Sequence, residues 1–145
     1  MKAVIQRVQN ANLKVDGQLI SQIEHGYVIF LGVKKGDTTV NADYFIKKIP
    51  TLRIFEDENG KINKSIIDVN GEILLVSQFT LYANTSHGNR PDFLDAEIPD
   101  KANELYAYVA QGLKEKGLSV KLGVFGADMK INQTNDGPFT VILEN

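Results

Sequence analysis

The stretch ANLKVDGQLISQI, residues 11–23, carries the clearest structural signal in this sequence. Apolar and polar residues alternate on both sides of Asp16-Gly17, and an Asp-Gly pair between two such segments is a strong signal for a two-residue β-hairpin turn. Residues 1–8 alternate in the same way. We therefore expect the chain to open as an antiparallel meander.

The rest of the chain divides into further strands and two helices. Residues 27–33, YVIFLGV, form a continuous apolar run typical of a strand that is covered on both faces. Apolar residues at helical spacing predict one helix over residues 42–49, with Asp37 or Thr38 as its cap and Pro50 near its end, and a second over residues 102–113, capped by Asp100 and ended by Gly117. The remaining predicted strands are residues 52–55, 65–69, 72–77, 119–124, 130–133 and 139–143, with a turn at 56–60 and a hairpin turn at Asn70-Gly71.

These elements predict a mixed α/β fold in one domain spanning residues 1–145. Two helices among many strands favour largely antiparallel β-layers, or a partly closed sheet, with the helices packed on one side. Residues 83–98 are polar and irregular and contain both glycine and proline, which is typical of a long functional loop.

Composition excludes several classes of protein and site. The chain has no cysteine, which rules out disulfides, a thiolate nucleophile and a cysteine zinc site. The longest apolar run is too short to span a bilayer, and the first residues show no signal-peptide core, so a cytoplasmic location is expected. A net charge of -2 argues against broad nucleic-acid binding, so any RNA contact should be small and local.

Common catalytic motifs are absent. The sequence contains no nucleophile elbow, P-loop, dinucleotide fingerprint or zinc-protease helix, and its only histidines, His25 and His87, are far apart. Thr80 follows a predicted strand, where packing of a β-branched side chain is favoured over a nucleophilic role. No metal or other cofactor is predicted. If the protein is an enzyme, main-chain N–H groups of an oxyanion hole are the best candidates for catalysis.

Two segments carry a resemblance to a known family. SQFTLYA (residues 77–83) and NDGPFT (residues 135–140) closely resemble the two signature motifs of the D-aminoacyl-tRNA deacylases, with supporting matches at residues 1–8, 53–60, 88–91 and 125–129. Either segment alone is an ordinary strand end or turn, whereas both together, in order over the whole chain, are specific. Phe139 stands where the family more often has valine, His87 where lysine is usual, and residues 62–65 differ from the commoner Met-Asn-Leu-Ser, departures that concern substrate preference.

The resemblance implies a homodimeric esterase that removes D-amino acids, and mischarged glycine, from the 3′ end of tRNA. In such proteins a Gly-Pro pair, joined by a cis bond, enters the active site of the other subunit and rejects L-amino acids through its backbone carbonyls. The residues implied for catalysis are Ser77, Gln78, Phe79 and Thr80, and those implied for substrate binding are Gly137, Pro138, Arg7 and Met129. Arg7 is a candidate for bonding the Gly-Pro carbonyls in place.

Two other functions remain open at this stage. A non-catalytic homodimeric module would use the loop of residues 83–98 to grip a protein or RNA partner. An esterase with a threonine nucleophile would instead hydrolyse small esters and show little chiral preference.

Overall fold

A computed structural model describes all residues, 1–145, as eight strands, two α-helices and two 3-10 helices. The strands are β1 Lys2–Val15, β2 Gln18–Ile23, β3 Gly26–Gly32, β4 Arg53–Glu56, β5 Ile62–Ser65, β6 Glu72–Ser77, β7 Ser119–Leu122 and β8 Lys130–Glu144. The α-helices are α1 Thr39–Lys48 and α2 Pro99–Glu115, and the 3-10 helices span Ile49–Thr51 and Phe79–Tyr82.

Six strands build one partly closed sheet around β1. This strand pairs antiparallel with β2, β3 and β8, while β6 pairs parallel with both β3 and β7. The Ser21 hydroxyl of β2 donates a hydrogen bond to the carbonyl of Leu122 in β7 at 2.6 Å, which draws the two ends of the sheet together. The predicted mixed α/β fold with a partly closed sheet is confirmed; β4 and β5 form a separate two-stranded sheet.

Both faces of the sheet are apolar. The larger buried cluster joins Ile5 and Ile29 of the sheet to Phe45 of α1 and Val109 of α2, so both helices cover this face. A smaller cluster, which includes Val28, forms on the other face, where the second half of β1 folds back. The prediction that β3 is covered on both faces is therefore confirmed.

The opening hairpin forms as predicted. Asp16 and Gly17 have φ of 49° and 80°, the two positive values that a type I′ turn requires, and Val15 pairs with Gln18 across it. The two segments predicted before this turn are one continuous strand, β1, whose register shifts twice near Val8. Local alternation identifies strand residues but does not show where neighbouring segments join.

The helices begin and end close to their predicted limits. The Thr38 amide donates to Asn41 Oδ1 at 3.0 Å, which supports Thr38 as the cap of α1, and Pro50 lies in the short 3-10 helix that follows. The prediction that Asp100 caps α2 was wrong, because the helix begins at Pro99 and its cap is Ile98. Asp100 lies in the first turn, where a carboxylate interacts favourably with the helix dipole. Gly117, with φ of 85°, follows α2 as predicted.

Two strand predictions and one turn prediction were wrong. In the strand predicted over residues 65–69, residues 66–69 form turns instead, and the Asp68 carboxylate stabilises them by accepting hydrogen bonds from the amide and hydroxyl of Ser65. The Asn70-Gly71 turn is present, but it joins β5 and β6, which lie in different sheets, so it is not a hairpin turn. The two strands predicted over residues 130–143 are one strand, β8, which pairs with nearly the whole length of β1.

Candidate active site

A cavity of about 730 Å³ opens at the carboxyl end of β6. Ligand pockets for small molecules commonly have this size and a mostly apolar lining with a few polar groups. The lining includes Val76, Ser77, Gln78 and Phe79 at the end of β6, Phe93, Leu94, Glu97 and Ile98 of the following loop, Tyr106 of α2, and Phe125, Asp128, Met129 and Ile131 from the segment entering β8.

The chain turns sharply where β6 ends, and this turn forms the floor of the cavity. The Gln78 amide donates to the carbonyl of Leu31 at 2.9 Å, which extends the β3–β6 pairing by one residue. The 3-10 helix Phe79–Tyr82 then begins, and the first amides of a helix have no acceptor within it. The amides of Phe79 and Thr80 therefore offer hydrogen-bond donors beside the cavity.

Gly32 at the end of β3 allows this turn to lie close to the sheet. A Cβ atom at Gly32 would lie 3.0 Å from the carbonyl oxygen of Gln78 and 3.2 Å from Cβ of Leu81. Both distances are tighter than ordinary van der Waals contact. The absence of a side chain at Gly32 thus sets the position of the segment that carries Gln78 and the free amides.

The loop before α2 is fastened to the turn after β3 by Glu97. Its carboxylate accepts hydrogen bonds from the amides of Gly36 and Ile98, at 3.2 and 3.0 Å, and forms an ion pair with Lys101 at 2.9 Å. The Lys101 ammonium, together with these amides, lowers the pKa of Glu97 to about 2. Glu97 is therefore a charged anchor for the loop and a poor general base.

Phe79 closes the wall between this loop and the end of β6. Its side chain, 57% exposed, packs edge-on against the ring of Phe93, with ring centroids 5.0 Å apart. The loop of residues 83–98 thereby contributes directly to the cavity, as its predicted functional role requires.

Two further side chains shape the opposite wall. The Tyr106 hydroxyl donates to the carbonyl of Leu75 at 2.7 Å, and burial raises the pKa of Tyr106 to about 12, so this phenol stays neutral. Met129 packs on Gly123, where a Cβ atom would lie 2.7 Å from the Met129 sulfur. Gly123 therefore provides the space in which Met129 is held against the cavity.

Thr80 is not packed against other side chains, although its position after a strand favoured such packing. The side chain is exposed, so its interpretation as a packing residue is wrong. Its hydroxyl accepts a hydrogen bond from Nε2 of Gln78, which is the one side-chain hydrogen bond that Thr80 makes. An amide donor cannot remove the hydroxyl proton, so this geometry does not activate Thr80 as a nucleophile.

Arg7 lies opposite an irregular part of β8. Gln6 pairs with Thr140 and Val8 pairs with Asn135, so residues 136–139 bulge out opposite Arg7 alone. The buried guanidinium donates from Nε to the carbonyl of Asp136 at 3.2 Å and from Nη1 to the carbonyl of Ile54 at 2.7 Å. Arg7 therefore connects the bulge to the small β4–β5 sheet.

Arg7 makes two further contacts to the bulge, one to the Asp136 carboxylate and one to the Phe139 ring. Arg7 Nε lies 3.0 Å from Oδ2 of Asp136, and the guanidinium carbon lies 5.2 Å from the centroid of the Phe139 ring. The Gly137-Pro138 bond within the bulge is cis, and both of its residues are exposed. The segment is thus presented at the surface by a buried arginine.

The residues singled out from the sequence fall into two groups in one chain. Ser77, Gln78, Phe79 and Met129 line the cavity, and Thr80 follows directly. Arg7, Gly137 and Pro138 do not line it and lie together at the β8 bulge.

Other residues at the site were missed in the sequence, namely Gly32, Lys35, Phe93, Glu97, Tyr106 and Gly123. Two local signals bear on them: the predicted functional loop of residues 83–98 contains Phe93 and Glu97, and the four-residue spacing of Glu97 and Lys101 is typical of a helical ion pair.

The histidines lie outside the cavity. The His25 ring contacts Phe55, with centroids 4.9 Å apart, and His87 Nδ1 lies 3.2 Å from the hydroxyl of its neighbour Ser86. No three histidine, aspartate or glutamate side chains come close enough to hold a metal ion. Neither helix has both the length and the apolar character needed to cross a membrane.

Known proteins resemble this chain over its full length. The family model described as D-Tyr-tRNA(Tyr) deacylase matches residues 4–144. A D-aminoacyl-tRNA deacylase from Geotalea daltonii is 54% identical over 144 residues, covering 99% of this chain and 96% of the relative, and one from Syntrophomonas wolfei is 48% identical over 145 residues, covering 100% and 97%.

Two solved structures share the fold of this chain. One described as c-Myc DNA Unwinding Element Binding Protein is 42% identical, with a TM-score of 0.94 over 100% of this chain and 99% of the other. A probable eukaryotic D-amino acid tRNA deacylase, 16% identical, shares the fold with a TM-score of 0.82 over 98% of this chain and 97% of the other. On these matches, the chain belongs to the D-Tyr-tRNA(Tyr) deacylase family.

Proposed function

We propose that this protein hydrolyses the ester bond of D-aminoacyl-tRNA and releases tRNA and the D-amino acid. The observation that carries the proposal is the cavity at the end of β6, where the SQFT segment supplies free main-chain amides as donors for an ester carbonyl. The full-length relatives named as D-aminoacyl-tRNA deacylases support the same reaction class.

The chemistry suits such a site. An aminoacyl ester is already activated, so its hydrolysis needs orientation, polarisation of the carbonyl and a water molecule. The amides of Phe79 and Thr80 would polarise the ester carbonyl, and the ribose hydroxyl next to the ester would help to activate water. Glu97 and Tyr106 have pKa values near 2 and 12, far from neutrality, which fits a reaction that does not depend on them as bases.

The chiral selection would come from a second copy of the chain. Gly137 and Pro138 are exposed and do not line the cavity of their own protomer, which is the arrangement expected if they enter the cavity of a partner. Their carbonyls would hold the α-amino group and leave too little space for an L side chain, while a D side chain would point outward. A pocket that selects by exclusion accepts many D-residues, and also glycine.

Apolar residues left exposed on the protomer support this homodimer. Ile142 of β8 is 63% exposed, and it pairs with Val4, which in turn pairs with the partly exposed Phe30. A second subunit packing on this surface would remove the apolar side chains from water.

The RNA partner would be the 3′ end of tRNA, in the cytoplasm where aminoacyl-tRNA is used. The net charge of -2 argues for a small footprint centred on the terminal adenosine.

Hydrolysis of three substrates tests the proposal. The protein is incubated with D-tyrosyl-tRNA, L-tyrosyl-tRNA and glycyl-tRNA, and the remaining ester is measured over time. We expect rapid loss of the D-tyrosyl and glycyl esters and little loss of the L-tyrosyl ester. Equal hydrolysis of both tyrosyl esters would favour the threonine-nucleophile esterase and contradict the proposal.

A binding module is the second candidate function. One solved relative is named as a DNA-unwinding-element binding protein, which favours a nucleic-acid-binding role for that protein. A module of this kind would hydrolyse none of the three esters. The acidic net charge of this chain does not favour broad binding to duplex DNA.

A further inference from the structure

A tight turn after β3 holds Lys35 at the rim of the cavity. The Lys35 amide donates to the carbonyl of Asp95 at 2.9 Å, and the adjacent Gly36 amide donates to the Glu97 carboxylate. The Lys34 amide donates to Oδ2 of Asp37 at 2.6 Å, which closes the turn. The backbone of Lys35 is therefore fixed on both sides, and this exposed residue is part of the cavity lining.

Lys35 is the one charged group of the lining that is not neutralised. Glu97 forms an ion pair with Lys101, and Asp128 forms one with Lys130, each at 2.9 Å. Lys35 takes part in none of the ion pairs of the structure. The rim thus carries one free positive charge, although the whole chain has a net charge of -2.

We propose that Lys35 binds the phosphate on the 5′ side of the terminal nucleoside of tRNA. This inference rests on the proposed function, because it takes the cavity as the place where the aminoacylated nucleoside lies. Next to that nucleoside the substrate's one anionic group is this phosphodiester. A lysine ammonium on a flexible stem binds phosphate as a point charge without a fixed geometry.

Lys34 provides a matched control for this residue. It is adjacent in the same turn, is also exposed and forms no ion pair, but it does not line the cavity. Lys35→Gln and Lys34→Gln therefore remove the same charge at nearly the same place. A general loss of attraction to tRNA would affect both variants, whereas a contact to one phosphate would affect only Lys35→Gln.

The experiment compares three esters that differ in the phosphate: D-tyrosyl-tRNA, the D-tyrosyl ester of adenosine 5′-monophosphate and the D-tyrosyl ester of adenosine. For Lys35→Gln we expect kcat/KM to fall about fivefold, mainly through KM, on the first two and to stay at the wild-type value on the third. The slope of log(kcat/KM) against log salt for the tRNA should become shallower by about 0.7. Lys35→Arg should retain the activity, and Lys34→Gln should match the wild type throughout.

Other results would overturn the inference. Equal behaviour of the two glutamine variants on tRNA would exclude a specific role of Lys35, and an equal loss on the adenosine ester would exclude phosphate as its ligand. If the wild type hydrolyses none of the esters, the proposed function fails separately. Binding of adenosine 5′-monophosphate and of adenosine, measured by NMR titration, still decides on Lys35: the wild type should prefer the monophosphate and Lys35→Gln should not.

Discussion

At the residue scale, Gly137 is the position where a small change has the largest expected effect. Its φ of 128° lies in the region that favours glycine, and a Cβ atom there would be 2.7 Å from the amide nitrogen of Phe139. Gly60 also has a positive φ, 73°, but a Cβ atom at Gly60 would meet nothing within 4 Å. Alanine variants at these two positions therefore distinguish the cost of a positive φ, which both share, from the cost of displacing neighbouring atoms, which only Gly137 carries.

Gly137→Ala should reduce deacylation of D-tyrosyl-tRNA on the order of a hundredfold. The added methyl group must displace the carbonyls of the bulge, and a shift of about 1 Å in a site can cost that much in rate. Gly60→Ala should lose about 1 kcal/mol of stability and keep its activity. Kinetics and thermal melting of both variants check this. If Gly137→Ala only melts earlier and deacylates normally, Gly137 is merely a turn residue.

Thr80→Ala should leave substantial deacylase activity. The Thr80 hydroxyl is bonded by the amide of Gln78 and has no base beside it, so the reaction is not expected to pass through an ester on Thr80. Single-turnover rates with D-tyrosyl-tRNA measure the effect. Mass-spectrometric detection of an aminoacyl group on Thr80 would overturn this expectation.

At the element scale, the site depends on how closely the end of β6 approaches β3 and on how the following loop is fastened. Gly32 permits the first, through the short distances from its missing Cβ to Gln78 and Leu81. Glu97 provides the second, through hydrogen bonds to amides on both sides of the cavity rim. Neither residue is expected to touch the reacting atoms, so both are positioning residues.

Gly32→Ala should lower kcat strongly, in addition to lowering the melting temperature. The methyl group would push on the backbone of Gln78 and so move the amides of Phe79 and Thr80, at a cost on the order of a hundredfold in rate. Gly112→Ala is the control, because its methyl group would press on Ile46 between α1 and α2, away from the cavity. We expect both variants to melt earlier and only Gly32→Ala to lose its activity; equal activities at equal melting temperatures would contradict this.

Glu97 should make stability depend on acid pH. Its pKa falls from 4.5 to about 2 in the folded chain, so its contribution is complete above about pH 5 and is lost as the pH falls from 4.5 toward 2. Glu97→Gln should therefore melt earlier than the wild type at neutral pH, and the difference should shrink toward about pH 3. Scanning calorimetry across this range checks the prediction, which fails if the difference in Tm is independent of pH.

At the scale of the whole molecule, the main expectation is assembly into a dimer with shared sites. One protomer carries the cavity and the Gly137-Pro138 segment at different places, and it leaves Ile142 exposed beside that segment on β8. A C2 pair would let each subunit complete the site of the other.

Sedimentation at micromolar concentration should show a dimer, and Ile142→Lys should give a folded but inactive monomer. A lysine ammonium at position 142 destabilises the dimer only if a second subunit would bury it there. Ile62→Lys, on the exposed face of β5, is the control and should stay dimeric and active. An active wild-type monomer would exclude the shared site.

Mixed dimers test the shared site more directly. Gly137→Ala chains keep an intact cavity, and Gly32→Ala chains keep an intact Gly137 segment. After subunit exchange in an equal mixture, about half of the dimers should be mixed, each with one complete site, so about a quarter of wild-type activity should return. Activity that stays at the level of the separate variants would place both residues in a site within one chain.

The sequence by itself determined the elements whose signals are local. The Asp16-Gly17 hairpin, the doubly covered β3, the central β6 and the loop after it follow from turn chemistry and from the periods of apolar residues. The two signature segments, read together, also led to the family. Where such signals were weak, the predicted strand limits were wrong. Residues 66–70 form a turn because the Asp68 carboxylate accepts the hydrogen bond of the Ser65 amide. Strand β8 continues through residues 135–138, whose sequence is typical of a turn.

Only the tertiary structure decided how distant segments meet. Arg7 contacts Ile54 and Asp136, residues 47 and 129 positions away, and no local pattern marks such pairs. Gly32 and Lys35 reach the cavity because β3 and β6 pair in parallel, which brings the carboxyl ends of both strands to one edge of the sheet. Side-chain periodicity reports which face of an element is buried, whereas the neighbour across that face is set by strand pairing over long separations in the chain.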